Sequence, residues 1–414
     1  MTALSILTSL DRGRWVLLSD WLALGIAVSL PWSTTATGIL IVLWLVATLP
    51  TLDAAMLRRE LASAAGFLPV LLWGLAAAGM LWADVSWAER LGGLSKFHRL
   101  LLIPLLMAHF RRSERGPWVL YGFFGSMLSV LLVSWALALI PGLPWRGTHQ
   151  ADVPAKDYIF QSAGFLTCAF ALLGYACEAG HKRRSLSVSG YVALACFFLA
   201  NILFVVTSRA ALLITPVLLL LLGWREFRWK GLAGAVLLGS IVAVTIWFTS
   251  AYLRDRLVTS VKELQAYRTS DAPNSTGLHL EFLRKSLLFV ETAPVIGHGT
   301  GSIREQFRHA TVGESGASSV AAESPHNQIF GVAIQLGLVG AVALIAMWVA
   351  HFLLFRGGGL ASWIGAIIVT QNIVGSLFDT YLFAFGTGWL YVLGVGVAGG
   401  MVLRGRESTL ASRT

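Results

Sequence analysis

Ser324 to Gly340 reads SPHNQIFGVAIQLGLVG, and the rest of the chain can be placed around it. A serine able to cap, a proline suited to the first helical position and then an apolar run mark the start of a membrane-spanning helix. This reading puts His326 in the first turn of that helix, at the water boundary. A helix N-terminus favours the uncharged form of an imidazole, and an uncharged imidazole at a membrane face can act as a general base. A boundary histidine more often only caps or hydrogen-bonds, but two features weigh against that here. The upstream stretch Thr311 to Glu323 is small, polar and loop-like, so His326 is expected to face an aqueous cavity. Arginines from two other segments reach the same side.

Of the 414 residues, 56% are hydrophobic and 13% charged, which is not the balance of a soluble chain. The fold class expected is an all-α polytopic membrane protein of about twelve transmembrane helices. The formal charge of +10 needs no nucleic acid to explain it, because cytoplasmic loops of membrane proteins are rich in Lys and Arg. Cys168, Cys177 and Cys196 all lie in apolar segments and form no CxxC pair, disulfide framework or metal cluster. Near the start, Arg12 and Arg14 precede an apolar stretch that Asp20 interrupts. No small-residue cleavage site follows, so this reads as a retained first span.

The expected spans run 15–32, 36–50, 64–82, 95–110, 117–140, 159–178, 187–206, 209–224, 232–252, 327–353, 360–378 and 382–403. Thr207-Ser208-Arg209 breaks a run too long for one helix. The chain then divides into 1–253 with nine spans, a polar insert over 254–325, and 326–414 with three spans and a tail. With both ends cytoplasmic, seventeen of the thirty-one Lys and Arg fall on inner segments, as the positive-inside rule requires. The insert is then periplasmic. The remaining fourteen basic residues include Arg90, Lys96, Arg99, Arg146, Lys156, Arg209 and eight between Arg254 and Arg308. Snorkelling and pairing with acids account for most of them, and an anionic ligand at the outer interface accounts better for a few.

Within the insert, Asp255 to Arg268 reads as an amphipathic helix lying on the bilayer. Asn274 to Glu291 reads as a second helix, capped by Asn274 or Ser275, with Leu280, Leu283, Leu287 and Leu288 on one face. Gly297, Gly299 and Gly301 follow in a turn where backbone can approach a ligand, without the Walker lysine or a preceding strand.

Arg209, between two apolar helices, needs an anion or carbonyl partner, and a structural pair with Asp379 is the competing explanation. Arg284, taken alone, is a solvated surface charge. Set around one cavity with an uncharged His326, the two arginines can hold a diphosphate while the imidazole activates a hydroxyl. Such a site runs glycosyl transfer without a cofactor, and no DxD-like pair or His/Asp cluster points to a metal.

These residues resemble the bacterial O-antigen ligase family, which shares a domain with O-antigen polymerases and protein O-oligosaccharyltransferases. The family's ligase signature is matched by His326, Asn327, Gly337 and Gly340. Looser matches are Thr207-Ser208-Arg209 and the pairing of Arg284 with Pro294-Val295-Ile296-Gly297-His298-Gly299. The resemblance implies a GT-C-like enzyme in the bacterial inner membrane, its active site facing the periplasm. The implied donor is O-antigen on undecaprenyl diphosphate and the implied acceptor is the lipid A-core oligosaccharide. His326 would be the base and Arg209 and Arg284 the diphosphate ligands. Lys96, Arg99, Asn327 and Asp379 are secondary candidates, Asp379 as an orienter of Arg209 or His326. A polymerase or protein oligosaccharyltransferase using the same donor is the nearest alternative. A transporter of a lipid-linked anion is the more distant one.

Overall fold

In a computed structural model, residues 12–411 are described apart from 141, 144, 146–152, 156, 182–184, 207 and 250; Arg146, Lys156 and Thr207 lie outside the described residues. The described residues form sixteen α-helices and no strand. They are α1 (Arg12–Ser29), α2 (Thr34–Thr48), α3 (Ala54–Leu61), α4 (Ala64–Gly79), α5 (Trp87–His98), α6 (Leu102–Arg112), α7 (Gly116–Leu139) and α8 (Tyr158–His181). Then come α9 (Ser185–Phe204), α10 (Arg209–Thr249), α11 (Ala251–Ser270), α12 (Ser275–Thr292), α13 (Ile303–His309), α14 (Gln328–Leu354), α15 (Leu360–Gly375) and α16 (Phe385–Ala411).

The protein is an all-α polytopic membrane protein; each expected stretch overlaps helix, but 209–224 and much of 232–252 share the single element α10, and the expected count of twelve spans is not reproduced. Among the described residues, eight helical segments are long and apolar enough to cross a bilayer alone, or nine if the bent pair α3–α4 makes one span. Local sequence sets the ends. Ser33, Asp53, Ser63 and Asn274 each accept a backbone N–H of the helix they precede, and Ser86 and Glu89 close a capping box on α5. The break expected near Arg209 separates α9 from α10. Within α10 the chain doubles back at Arg228, where φ is 55°, and the backbones of Gly223 and Gly231 come into contact.

One core runs through the bundle, with Trp44, Phe97, Phe110, Phe165, Trp363 and Tyr391 buried in it. α6 and α16 pack closely: a Cβ on Gly396 would lie 2.5 Å from that of Leu106, and one on Gly400 2.7 Å from the Met107 carbonyl oxygen. Such small-residue contacts are how membrane helices gain packing without a hydrophobic driving force.

The insert has its own small core of Phe282, Phe289, Ile303, Phe307, Ala322 and Ile334, which seals α12 and α13 against α14. This corrects the expected leucine face. Leu283, Leu287 and Leu288 are exposed, and the buried side of α12 is Glu281, Phe282, Lys285, Ser286 and Phe289. The aromatic rings bring more contact area than the leucines. Glu281 tolerates burial because Arg284, Lys285 and Tyr267 all point at it.

The glycine turn is also corrected. It docks on helices and offers no open backbone to a ligand. His298 and Gly299 N–H donate to Ile334 and Gln335 carbonyls at 2.8 and 2.9 Å, Gly301 N–H to the Gln335 side chain at 2.8 Å, and Thr300 N–H to Gly79 at 3.0 Å. α14 breaks to receive it: Gly337 has φ 63°, and Leu338 N–H donates to the Pro294 carbonyl at 2.7 Å. A Cβ on Gly337 would sit 2.2 Å from the Val295 carbonyl oxygen. The signature glycine is thus the point where the insert locks into a spanning helix.

Candidate active site

His326 stands just before α14 and not in its first turn. The cap is Asn327, whose side chain accepts from Ile329 N–H at 2.9 Å and Phe330 N–H at 3.2 Å. Asn outranks a Ser-Pro start as a cap here because its carbonyl can take two of the orphan N–H groups. Ser324 instead closes a local turn by accepting the His326 N–H at 3.3 Å. His326 adopts φ 49°, a left-handed conformation rare for a non-glycine residue, and such outliers cluster at functional sites.

The loop from α15 to α16 supplies the partner. Asp379 Oδ1 lies 3.4 Å from His326 Nδ1, with the side chains 26% and 40% exposed. Three residues hold that loop in place. Gln328 donates its N–H to the Ser376 carbonyl at 2.8 Å and accepts from Leu382 and Phe383 N–H. Asn327 donates its side-chain amide to the Leu377 carbonyl at 3.1 Å. Arg99 donates to the Phe383 and Ala384 carbonyls. Arg99 and Asn327, both secondary candidates, therefore act as framework beneath Asp379. Burial pushes the Asp379 carboxyl up, but the His326 and Thr380 hydrogen bonds and the nearby imidazoles hold it below its usual value. It stays ionised at neutral pH and can fix the tautomer of His326, leaving Nε2 with its lone pair outward.

Arg209 opens α10 and is exposed. It has no hydrogen-bond or ion-pair partner among the described residues, so the pair with Asp379 does not form. Its charge is felt at His279, which lies in the cluster. Arg284 is placed elsewhere: both arms of its guanidinium clasp Glu281, at 2.9 and 2.6 Å. Lys96 projects over the Phe383 ring at 6.0 Å, within the field of Arg99 and Glu323. No three His, Cys, Asp or Glu side chains gather as a metal would require among the described residues.

Two residues of the cluster escaped the sequence reading. The His279 ring meets that of His326 edge-on, centroids 5.0 Å apart, and Phe282 lies nearly parallel to it at 6.0 Å. The available signal was a titratable residue and an aromatic three apart on one helix face, between leucines.

The described residues thus form a helical membrane bundle with an imidazole–carboxylate pair, His326 and Asp379, at the start of a spanning helix and an arginine, Arg209, that has no partner among the described residues. The O-antigen ligase family model matches residues 194–345. The matched stretch runs from α9 through the insert into α14 and includes Arg209, His279, Arg284 and His326. The match points to O-antigen ligase- or polymerase-type glycosyl transfer on lipid-linked polysaccharide. No curated protein matches the chain.

Proposed function

We propose that the protein is an O-antigen ligase of the bacterial inner membrane, joining O-antigen to the lipid A-core oligosaccharide at the periplasmic face. The observation that carries this is the His326–Asp379 pair at 3.4 Å, with the His279 ring against His326 and in the field of Arg209, an arginine with no hydrogen-bond or ion-pair partner among the described residues. With Nδ1–H turned to Asp379, Nε2 takes the proton of an acceptor hydroxyl. The acceptor oxygen then attacks the anomeric carbon, the bond from that carbon to the diphosphate oxygen breaks, and its electron pair leaves with the diphosphate. Single displacement inverts the anomeric centre. Arg209 meets the departing charge with a forked, always-ionised donor. Arg284 can join only by exchanging Glu281 for the donor, and in the clasped state it fixes α12.

The insert 254–325 is the periplasmic domain of this scheme, carried between the spans of 1–253 and 326–414. Ligase and polymerase share the donor and differ in acceptor. Purified protein given O-antigen on undecaprenyl diphosphate, with either lipid A-core or a second lipid-linked unit, separates them. The ligase reading requires product on lipid A-core. Elongation of the lipid-linked chain alone replaces it with a polymerase.

A further inference from the structure

We infer that His279, in preference to Arg284, is the second group that binds the donor diphosphate beside Arg209. The inference rests on the reading of this site as a lipid-diphosphate glycosyltransferase. α12 cannot present both residues to His326. Five residues separate them, so at about 100° per residue Arg284 lies roughly 140° around the helix from His279. The ring contacts show which one faces inward: His279 at 5.0 Å and Phe282 at 6.0 Å from His326, both from the same side of α12.

The two residues also differ in what they are free to do. Arg284 spends its fork on Glu281, a buried carboxylate that also accepts the Tyr267 hydroxyl at 2.9 Å. The ring nitrogens of His279 make no hydrogen bond to the described residues. A carboxylate acting on His279 is Asp379, whose Oδ1 lies 3.4 Å from His326 Nδ1 and accepts the Thr380 N–H. Two donors, Arg209 and His279, neither hydrogen-bonded to the described residues, thus lie within electrostatic reach of each other. A phosphodiester oxygen is an acceptor that both donors can share.

The charged groups acting on His279 are His326 from the segment before α14, Arg209 from α10 and Asp379 from the α15–α16 loop. Loss of water around the ring lowers its pKa, the charges of His326 and Arg209 lower it further, and Asp379 opposes them. At neutral pH the ring is uncharged and donates one N–H. As pH falls through its lowered pKa the ring gains a second N–H and a charge, so donor affinity rises. A guanidinium in the same place would bind independently of pH.

The test measures affinity of the detergent-purified full chain for a sugar-linked prenyl diphosphate, whose phosphodiester oxygens stay ionised over the range, from pH 8 to pH 5. His279→Ala should weaken binding roughly tenfold, as loss of a hydrogen bond to a charged group does, and flatten the pH profile. His279→Arg should restore affinity with a flat profile. Arg284→Ala should lower thermal stability more than affinity. An unchanged affinity and an intact pH profile in His279→Ala overturn the inference. So does a larger affinity loss in Arg284→Ala than in His279→Ala at equal thermal stability. If Arg209→Ala weakens binding while His279→Ala does not, this inference alone fails. If the wild-type chain does not bind the probe, the glycosyltransferase reading falls with it.

Discussion

His326 is held by its neighbours in a backbone conformation it would not choose, with φ 49° and its ring pinned between Asp379, His279 and Phe282. Left-handed strain of this kind costs on the order of 1–3 kcal/mol, and the surrounding contacts must over-determine it. In the proposed mechanism a base so placed serves the chemical step and adds little to diphosphate affinity. His326→Ala should therefore cut turnover roughly a hundred- to ten-thousandfold while donor binding stays nearly intact. Arg209→Ala should weaken donor binding as well as rate, roughly ten- to hundredfold in affinity, because a charge-assisted contact is lost. Arg209→Lys should recover only part, since an ammonium lacks the planar fork. Affinity and single-turnover rate measured on the same folded preparations check both. An Arg209 that is purely structural would instead lower yield or melting temperature with affinity unchanged.

Between residue and fold, the decisive element is α14 with its broken ladder at Gly337. Gly337→Ala places a Cβ 2.2 Å from the Val295 carbonyl on a backbone with φ 63°. Gly299→Ala places one 2.4 Å from Ala83 Cα at φ 89°. Both variants should lose thermal stability in detergent and release the insert from the bundle. Gly313→Ala is the control: φ is 79° but nothing lies within 4 Å of the added methyl, so only the backbone strain remains. Equal melting temperatures for Gly337→Ala and Gly313→Ala would contradict the docking role. This element also shows what the sequence could and could not reveal. Apolar runs of about twenty residues made the helices legible, because lipid demands a continuous stretch. His326, Arg209 and the signature glycine were legible as residue types. The glycine turn was misread because a glycine that admits a ligand and one that admits a helix look alike in sequence. The leucine face of α12 was misread because apolar residues on a membrane protein can point outward as readily as in. His279 was missed because its partner comes from a segment 47 residues away in the chain.

At the scale of the whole molecule, the site needs one face of the membrane to hold the insert, the start of α14 and the α15–α16 loop together. A cysteine at Val312, in the insert, should react with an impermeant thiol reagent added outside, and one at Gly358, between α14 and α15, should not. The reverse pattern would put His326 on the cytoplasmic face and end the proposal. In the proposed mechanism Arg209 supplies the charge at the leaving group, so transfer should also persist in excess chelator. Activity lost on chelation and restored by Mg²⁺ or Mn²⁺ would refute an account that rests on side-chain cations. The central claim is that the aspartate-bound His326 draws the proton from an acceptor hydroxyl while the diphosphate is held beside it. The most direct measurement loads purified wild-type protein and His326→Ala with O-antigen on undecaprenyl diphosphate, adds lipid A-core and follows one turnover. The account predicts equal donor loading, rapid product in the wild type and a rate at least about a hundredfold lower in the variant. Equal rates, or a variant that fails to load donor, would contradict it.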